Sequence, residues 1–436
     1  MTQQPSTLVV KNIGQLLTMR PEAGPRSGPP GEGRDASLVG LVEDAVVVIR
    51  DGLIEAAGPR SVLGPAAAAP AGAAVIDAAG GVVTPGLVDP HTHLPFVGWR
   101  AAEFEARLQG KTYLDILAEG GGILETVRRF RAASPEELRT WAREALDRML
   151  LHGTTTVEAK SGYGLTRDDE LKALRVMASL DHPVTVVRTF LGAHAVPPEY
   201  RRRAGGAGAY LEEVCLPLLS EVRREDLAEF CDVFCERGVF DVREARLLLG
   251  EARRFGLGAK LHADEIEPTG GAELAAEVGA VSADHLVRAS DEGLRMMAEA
   301  GVVAVLLPAT TFTLGSAEYA PARKMLDMGL DVALATDLNP GTSPVESLPL
   351  VMGLACRVMR LSAAEAFRAV TAAAAKAIGR RDGTGVIGPG SPADLVVFGC
   401  RDYREVPYRL GVNLVRTVVK GGKVVVADGR LVRDAS

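Results

Sequence analysis

Apolar and polar positions follow two different rhythms along the chain, and the change falls near Gly86. Before it, the short β-branched or apolar runs Thr7–Val10, Ala45–Arg50, Leu53–Ala57 and Ala74–Asp77 are broken by Gly, Asp or Pro, which is the pattern of short strands. Between the first two lies Arg20–Arg34, rich in Pro and Gly, which reads as a mobile surface loop. Ala66–Ala74, interrupted by Pro70, reads as loop rather than helix. After Gly86, strand-length apolar runs alternate with longer helix-period segments, the signature of a parallel sheet with crossover helices.

Eight strands are expected: Gly86–Pro90, Thr154–Ala159, Val184–Leu191, Phe230–Phe234, Gly258–His262, Val281–Asp284, Val302–Leu307 and Asp331–Ala335. The clearest helix between them is Pro135–Leu150, with Ser134 placed to cap it, Pro135 at its first position and Glu137 three residues past the cap. Glu170–Leu180, Val242–Phe255, Gly271–Val278 and Asp291–Ala300 follow the same logic. Eight repeats predict an α/β fold, a closed (β/α)8 TIM-like barrel. A doubly wound open sheet is the alternative, weakened because no G-x-G-x-x-G opens the first helix. Strands return at Leu395–Phe398, Val415–Lys420 and Lys423–Val426, with Gly421-Gly422 as a hairpin turn. Residues 1–84 and 385–436 are therefore expected to form one small β-sandwich domain from both termini, with the barrel, 85–384, inserted between its halves.

Composition narrows the function class. A chain of 436 residues, 47% apolar and 24% charged, has the make-up of a soluble globular protein large enough for such a barrel. The net charge of -7, with no block of Lys and Arg, argues against nucleic acid as a partner. No apolar run approaches the ~20 residues that span a membrane, and the N-terminus lacks a signal-peptide pattern. The five cysteines are scattered without C-x-x-C spacing, so they read as reduced core residues of a cytoplasmic protein.

The seven histidines carry most of the chemical information. His91, His93, His194, His262 and His285 fall at or just past strand C-termini, the rim where barrel active sites lie. His152 and His182 precede strands and read as structural. Two imidazoles two residues apart, as in His91-Thr92-His93, point to one side of a strand and can grip one ion. His262 and Asp337 sit at other strand ends, and an aspartate there is costly to bury without a cation. Three imidazoles and one carboxylate suit zinc or iron. Glu265 and His285, at neighbouring strand ends, are candidate proton carriers.

Several longer segments carry a resemblance: Pro85–Arg100, Glu103–Gly110, Gly120–Ile123, Lys160–Leu165, Leu191–Pro197, His262–Glu265 and Thr336–Gly341. With these the chain resembles the amidohydrolase superfamily and, more narrowly, the imidazolonepropionase family, over nearly its whole length. The resemblance implies hydrolysis of the ring amide C–N bond of 4-imidazolone-5-propanoate, giving N-formimidoyl-L-glutamate in histidine degradation. It implies one Zn2+ or Fe2+/Fe3+ per subunit on His91, His93, His262 and Asp337, and a homodimer. Substrate contacts fall on Arg100, Tyr163, His194, Glu265 and Thr342, with Asn339 and Gly341 near the product, and His285 as the catalytic histidine. A planar guanidinium at Arg100 matches the propanoate tail, and His194 is expected to donate to ring or tail oxygen.

This chain departs from the family pattern at Thr342, where serine is usual, at Pro95 and Trp99 on the rim, and at Asn413-Leu414. Lys160 is expected to form an ion pair with Glu158 rather than to bridge two metals. Two other functions stay open: a deaminase of the same superfamily acting on a nucleobase-like ring, and a metal-binding barrel without catalysis.

Overall fold

The computed structural model describes residues 7–20, 31–64, 69–111 and 120–432. Eight strands form one parallel sheet in chain order: Leu87–Thr92, Thr154–Lys160, Thr185–Ala193, Phe230–Cys235, Gly258–Ala263, Ser282–His285, Val303–Leu306 and Val332–Leu334. All eight expected strands are present. The sheet closes just past the end of the eighth strand. There the Asp337 N–H donates to the His91 carbonyl (3.1 Å) and the His93 N–H to the Leu338 carbonyl (2.9 Å). The closing bonds thus run through the residues that sequence singles out for chemistry.

Each expected helix forms. Pro135–Leu151 carries the full capping box, with the Glu137 N–H on the Ser134 hydroxyl at 3.2 Å and the Ser134 N–H on the Glu137 carboxylate at 3.4 Å. Helices at Pro308–Thr313, Ala322–Asp327, Leu348–Val358, Ala363–Ala369 and Ala372–Ala377 are additional to the expectation. The last of these is nearly all alanine. It packs Ala373, Ala374, Ala377 and Ile378 against the inward strand residues Val88, Val187, Val303 and Val305, filling part of the barrel interior.

The remaining strands form a nine-stranded sheet in which Leu395–Phe398 pairs antiparallel with Val82–Pro85, joining the two ends of the chain. One of its faces encloses a separate apolar core of Leu8, Val10, Val47, Ile49, Val83, Leu395 and Val397. The Arg20–Arg34 segment departs from its loop reading. Residues 21–30 lie outside the described residues, but Glu32–Val39 is helical, ended by Gly40 in the left-handed region (φ 57°). The Arg34 guanidinium docks that helix on Glu365 (2.5 Å). Of the alanine-rich loop, residues 65–68 also lie outside the described residues. Among the described residues no helix is long and apolar enough to cross a membrane.

Candidate metal centre

The rim of the barrel gathers side chains from almost every strand. His91 lies inside the first strand and His93 one residue beyond it; His262 is in the fifth strand, and Asp337 follows the eighth. The Nε2 atoms of His91 and His93 are 3.2 Å apart, and Asp337 Oδ1 is 3.5 and 3.3 Å from them. A ligand atom from each of the three histidines falls within one 4.8 Å cluster. Asp337 is held by the Thr310 hydroxyl on its other oxygen (2.6 Å), and its backbone is left-handed (φ 52°). Asp264, His285 and Leu286 share that uncommon conformation on the same rim.

Electrostatics favour neutral imidazoles at His91 and His93. Burial, and then the charge of neighbouring groups, holds His91 and His93 well below the ordinary imidazole range. His91 Nδ1 meets Asp284 Oδ2 at 2.7 Å, which fixes the proton on Nδ1 and leaves Nε2 as a lone pair. His262 Nδ1 lies at ion-pair distance, 3.0 Å, from Asp232 Oδ2 without a well-aligned hydrogen bond, and its Nε2 is buried without a partner among the described residues. Burial opposes charge on His262, but Asp232 outweighs it and the pKa rises. Converging lone pairs and a carboxylate oxygen repel one another unless a cation sits among them, so the donor set fits one.

Beside this cluster opens a cavity of about 1100 Å3. Arg100, Tyr163, His194, Glu265, His285, Asn339 and Thr342 all line it, with His93, His262 and Asp337. His91 and Gly341 do not; His91 lies fully buried behind the lining. His285 Nδ1 faces Glu265 Oε1 at 3.5 Å, and its Nε2 has no partner among the described residues. Burial first, and then the Asp337 charge, raises Glu265 to about 8, with His262 opposing. Burial lowers His285 to about 4, against the pull of Asp337. Two neighbouring groups are thereby pushed apart in the sense of an acid beside a neutral base.

Polar side chains around the cluster complete the lining. Arg100 stands at the N-cap position of the helix Ala101–Leu108, its guanidinium lies against Gly341, and its Nε is buried without a hydrogen bond, 3.6 Å from the Glu103 carboxylate. Tyr163 is 5% exposed, and burial pushes its phenol well above the ordinary range, so it stays protonated. It rides on the loop after the second strand, which Glu170 shapes by accepting the N–H groups of Gly162, Gly164 and Leu165 (3.1, 2.8 and 2.9 Å). Gly162 is required there: its φ is 112°, and a Cβ would meet the Leu191 carbonyl and His194 within 2.9 Å.

His194 stacks on His93 (centroids 4.8 Å, 10° between planes), and its Nδ1 is 3.1 Å from the Gly162 carbonyl. Nδ1 must therefore carry the proton, and burial keeps the ring neutral, so Nε2 is an acceptor rather than the expected donor. Asn339 also differs from expectation. Its amide binds the Asp337 carbonyl (2.7 Å) and the Thr342 hydroxyl (2.8 Å), and its Oδ1 takes the N–H groups of Gly341 and Thr342. Its side chain is spent on shaping the turn and has no donor left for a ligand.

Asp232, Asp284, Thr310 and Glu170 escaped the sequence reading. The signal for the first two was present: a lone aspartate inside each of two buried strands needs a partner. His152 and His182 lie away from the cavity. His182 binds Asp147 (3.1 Å) and accepts the Val184 N–H, as a structural histidine does.

Comparison with known proteins adds a lineage. The Amidohydrolase family model matches residues 82–425. The imidazolonepropionase of Geobacillus kaustophilus (strain HTA426) is 51% identical over 427 residues, covering 97% of this chain and 99% of the relative. That of Symbiobacterium thermophilum is 46% identical over 432 residues, covering 99% and 100%. Among solved structures, 5-methylcytosine deaminase from Klebsiella pneumoniae matches with a TM-score of 0.70 at 17% identity, covering 98% of this chain and 99% of that one. A zinc-bound adenosine deaminase from Xanthomonas campestris also reaches 0.70, at 18% identity, covering 99% and 95%. These two share the fold. Sequence identity near one half along the full length is a far narrower relation, and with the matched family model it places the chain in the amidohydrolase family, among the imidazolonepropionases.

Proposed function

We propose that the chain hydrolyses 4-imidazolone-5-propanoate to N-formimidoyl-L-glutamate by adding water across the ring amide C–N bond. The observation that carries this reading is one cavity that opens on a three-histidine, one-aspartate cluster and is also lined by Arg100 and Tyr163. Such a cavity suits a ring with a reactive carbonyl and a carboxylate tail. His91, His93, His262 and Asp337 would hold one Zn2+ or Fe2+/Fe3+ per chain. When bound, that ion supplies a Lewis acid that polarises the ring carbonyl and acidifies water.

The chain's own residues do the rest. Arg100 forks onto the tail carboxylate, and the protonated Tyr163 hydroxyl donates to it. His194 Nε2 accepts a ring N–H, which its fixed tautomer favours. The Asn339–Thr342 turn, Gly341 included, closes the tail side and seats Arg100. His285 accepts the proton of the incoming water at Nε2, and Glu265 delivers a proton to the departing ring nitrogen. Across the 3.5 Å contact the protonated His285 gives its Nδ1 proton to Glu265, and exchange with solvent (loss of the Nε2 proton, regain of one at Nδ1) restores the base for the next turnover. Water thus supplies the oxygen of the new carboxylate and the hydrogen on the released nitrogen.

The test is turnover of freshly prepared 4-imidazolone-5-propanoate, followed by loss of ring absorbance with and without a chelator. Activity that vanishes with chelator and returns with a divalent ion is the expected result. Full activity and full metal content in D337A would overturn the metal assignment. Turnover of a purine, pyrimidine or triazine in preference would favour a deaminase. A cytoplasmic setting is part of the same proposal, since five free cysteines suit a reducing compartment; a homodimer is proposed from the family resemblance alone, and sedimentation tests it.

A further inference from the structure

Behind the metal cluster lies a second, wholly buried group of charges that the proposed reaction does not use. Lys160 ends the second strand with no exposed side-chain surface. Its Nζ is 2.8 Å from Asp232 Oδ2, 3.2 Å from Asp284 Oδ2 and 2.9 Å from Glu158 Oε2. The first two oxygens are the same atoms that face the histidines. Asp232 Oδ2 lies 3.0 Å from His262 Nδ1, and Asp284 Oδ2 lies 2.7 Å from His91 Nδ1.

The other carboxylate oxygens are occupied too. Asp232 Oδ1 accepts the N–H groups of Val233 (2.7 Å) and His262 (3.2 Å), and Asp284 Oδ1 accepts the Ser282 hydroxyl (2.7 Å). Neither aspartate can rotate away without losing several bonds. One ammonium thus stands at the junction of two carboxylate–histidine pairs that come from four different strands. Burial opposes its charge, but Asp232, Glu158 and Asp284 outweigh burial and hold Lys160 protonated.

We propose that Lys160 is a positioning residue of the metal centre: by clamping Asp232 and Asp284 together it fixes the Nδ1–H tautomer of His262 and His91 at once, and so presents both Nε2 atoms as ligands. The inference rests on reading those two histidines as ligands. Without the ammonium, two carboxylate oxygens that now share one partner would repel and move apart. Each histidine then loses the fixed acceptor at its Nδ1 and is free to turn or to change tautomer. Partners of this kind typically contribute roughly 10- to 100-fold to metal affinity.

Net charge alone predicts the opposite sign, because removing a cation near the site should tighten binding of another cation. The sign of the effect therefore separates positioning from simple electrostatics. Lys260 gives the control. It is equally buried and pairs with the same glutamate (Nζ to Glu158 Oε2, 3.1 Å), but its other bonds go to the carbonyls of Pro90 and Ala377.

The experiment measures Zn2+ affinity by competition with a chromophoric chelator for the parent, K160M and K260M, with folding followed by circular dichroism. The expected result is a roughly 10- to 100-fold loss in K160M and a change under about 3-fold in K260M. Equal or tighter Zn2+ binding in K160M, or an equal loss in K260M, overturns the proposal. No Zn2+ binding by the parent would instead refute the ligand assignment itself. Should K160M not fold, K160Q keeps hydrogen-bond donors without the charge and is expected to show the same loss. Long-range 1H–15N spectra of the parent's histidines read the tautomers directly, and a proton on Nε2 of His91 or His262 would also sink the idea.

Discussion

Gly341 offers a way to move Arg100 without removing its charge. A Cβ at position 341 would overlap the Arg100 guanidinium, and the three nearest atoms to it all belong to that group. None of those three is a backbone atom, and the Gly341 φ is outside the left-handed region, so alanine is conformationally acceptable. The bonds of Gly341 itself, its N–H to Asn339 Oδ1 (2.9 Å) and its carbonyl to Arg107 (3.4 Å), do not involve the new methyl. G341A should therefore fold with little loss of stability while displacing the guanidinium. A bidentate arginine–carboxylate contact comprises two charge-assisted bonds of about 1.5–3 kcal/mol each, of which a displaced arginine and water recover part. A net loss of about 2–3 kcal/mol corresponds to roughly 30- to 160-fold in kcat/KM. Tail binding is made equally in ground and transition states, so the loss should fall mainly on KM. Steady-state kinetics of G341A, R100M and the double variant test this, with a tail-less 4-imidazolone as control substrate. The double variant should match R100M alone, because both changes remove one interaction. An unchanged KM in G341A, or losses that add, would refute the placement of the tail at Arg100.

Other consequences are equally direct. Glu265, raised to about 8, acts as an acid only while protonated, so kcat/KM should fall as pH rises through its pKa. A cation on Asp337 removes one of the repulsions that raise it and should move that limb below 8; residual activity of E265Q should lack the limb altogether. His285, lowered to about 4, stays a neutral base above that pH, so the acid limb should appear only as pH falls through about 4, barring loss of metal first. E170A would strand the N–H groups of Gly162, Gly164 and Leu165, at about 1–3 kcal/mol each before water enters, and should lower stability in denaturant titration. The same variant releases the loop that carries Tyr163, so a higher KM should accompany the lost stability.

Much of this site was legible before folding because chemistry and strand ends coincide. The eight apolar runs located the strands, and position just past each run marked His93, His194, His285, Glu265 and Asp337. Periodicity could not reveal what each side chain spends its bonds on. Asn339 looked like a ligand contact because it is polar and near Asp337, but all its valences close the turn. His194 looked like a donor until the Gly162 carbonyl fixed its tautomer. Of the helices after the seventh and eighth strands, Ala372–Ala377 was missed because it is five alanines with Lys376 as its one exposed polar residue, too little contrast to show a period. Glu32–Val39 was missed because the Pro/Gly-rich run before it masks where the helix begins, and no side chain caps its start.

Charge around the centre also constrains the ion. Glu158, Asp232 and Asp284 are fully buried and face two buried ammoniums, Lys160 and Lys260, which leaves one negative charge unbalanced. Burial raises the Asp337 pKa too, but as a ligand it binds a cation in its ionised form and then adds a second. Glu265 and Asp89 are raised to about 8 and about 7, chiefly by burial, so each can carry a proton near neutrality and need not add to the count. A divalent ion then brings the enclosure to neutrality. A trivalent ion leaves one positive charge without a buried partner, where unit charges 4 Å apart interact by about 4 kcal/mol at an effective dielectric near 20. D337N removes one negative charge along with a ligand oxygen, so its divalent affinity should fall further than that of H93Q, which removes a ligand and no charge. Chelator competition with Zn2+ ranks the two, and the reverse order would show that the buried carboxylates are not all ionised. The affinity for a doubly charged cation thus comes from the charge count, while the tautomers held by Lys160 decide whether the imidazoles can meet it.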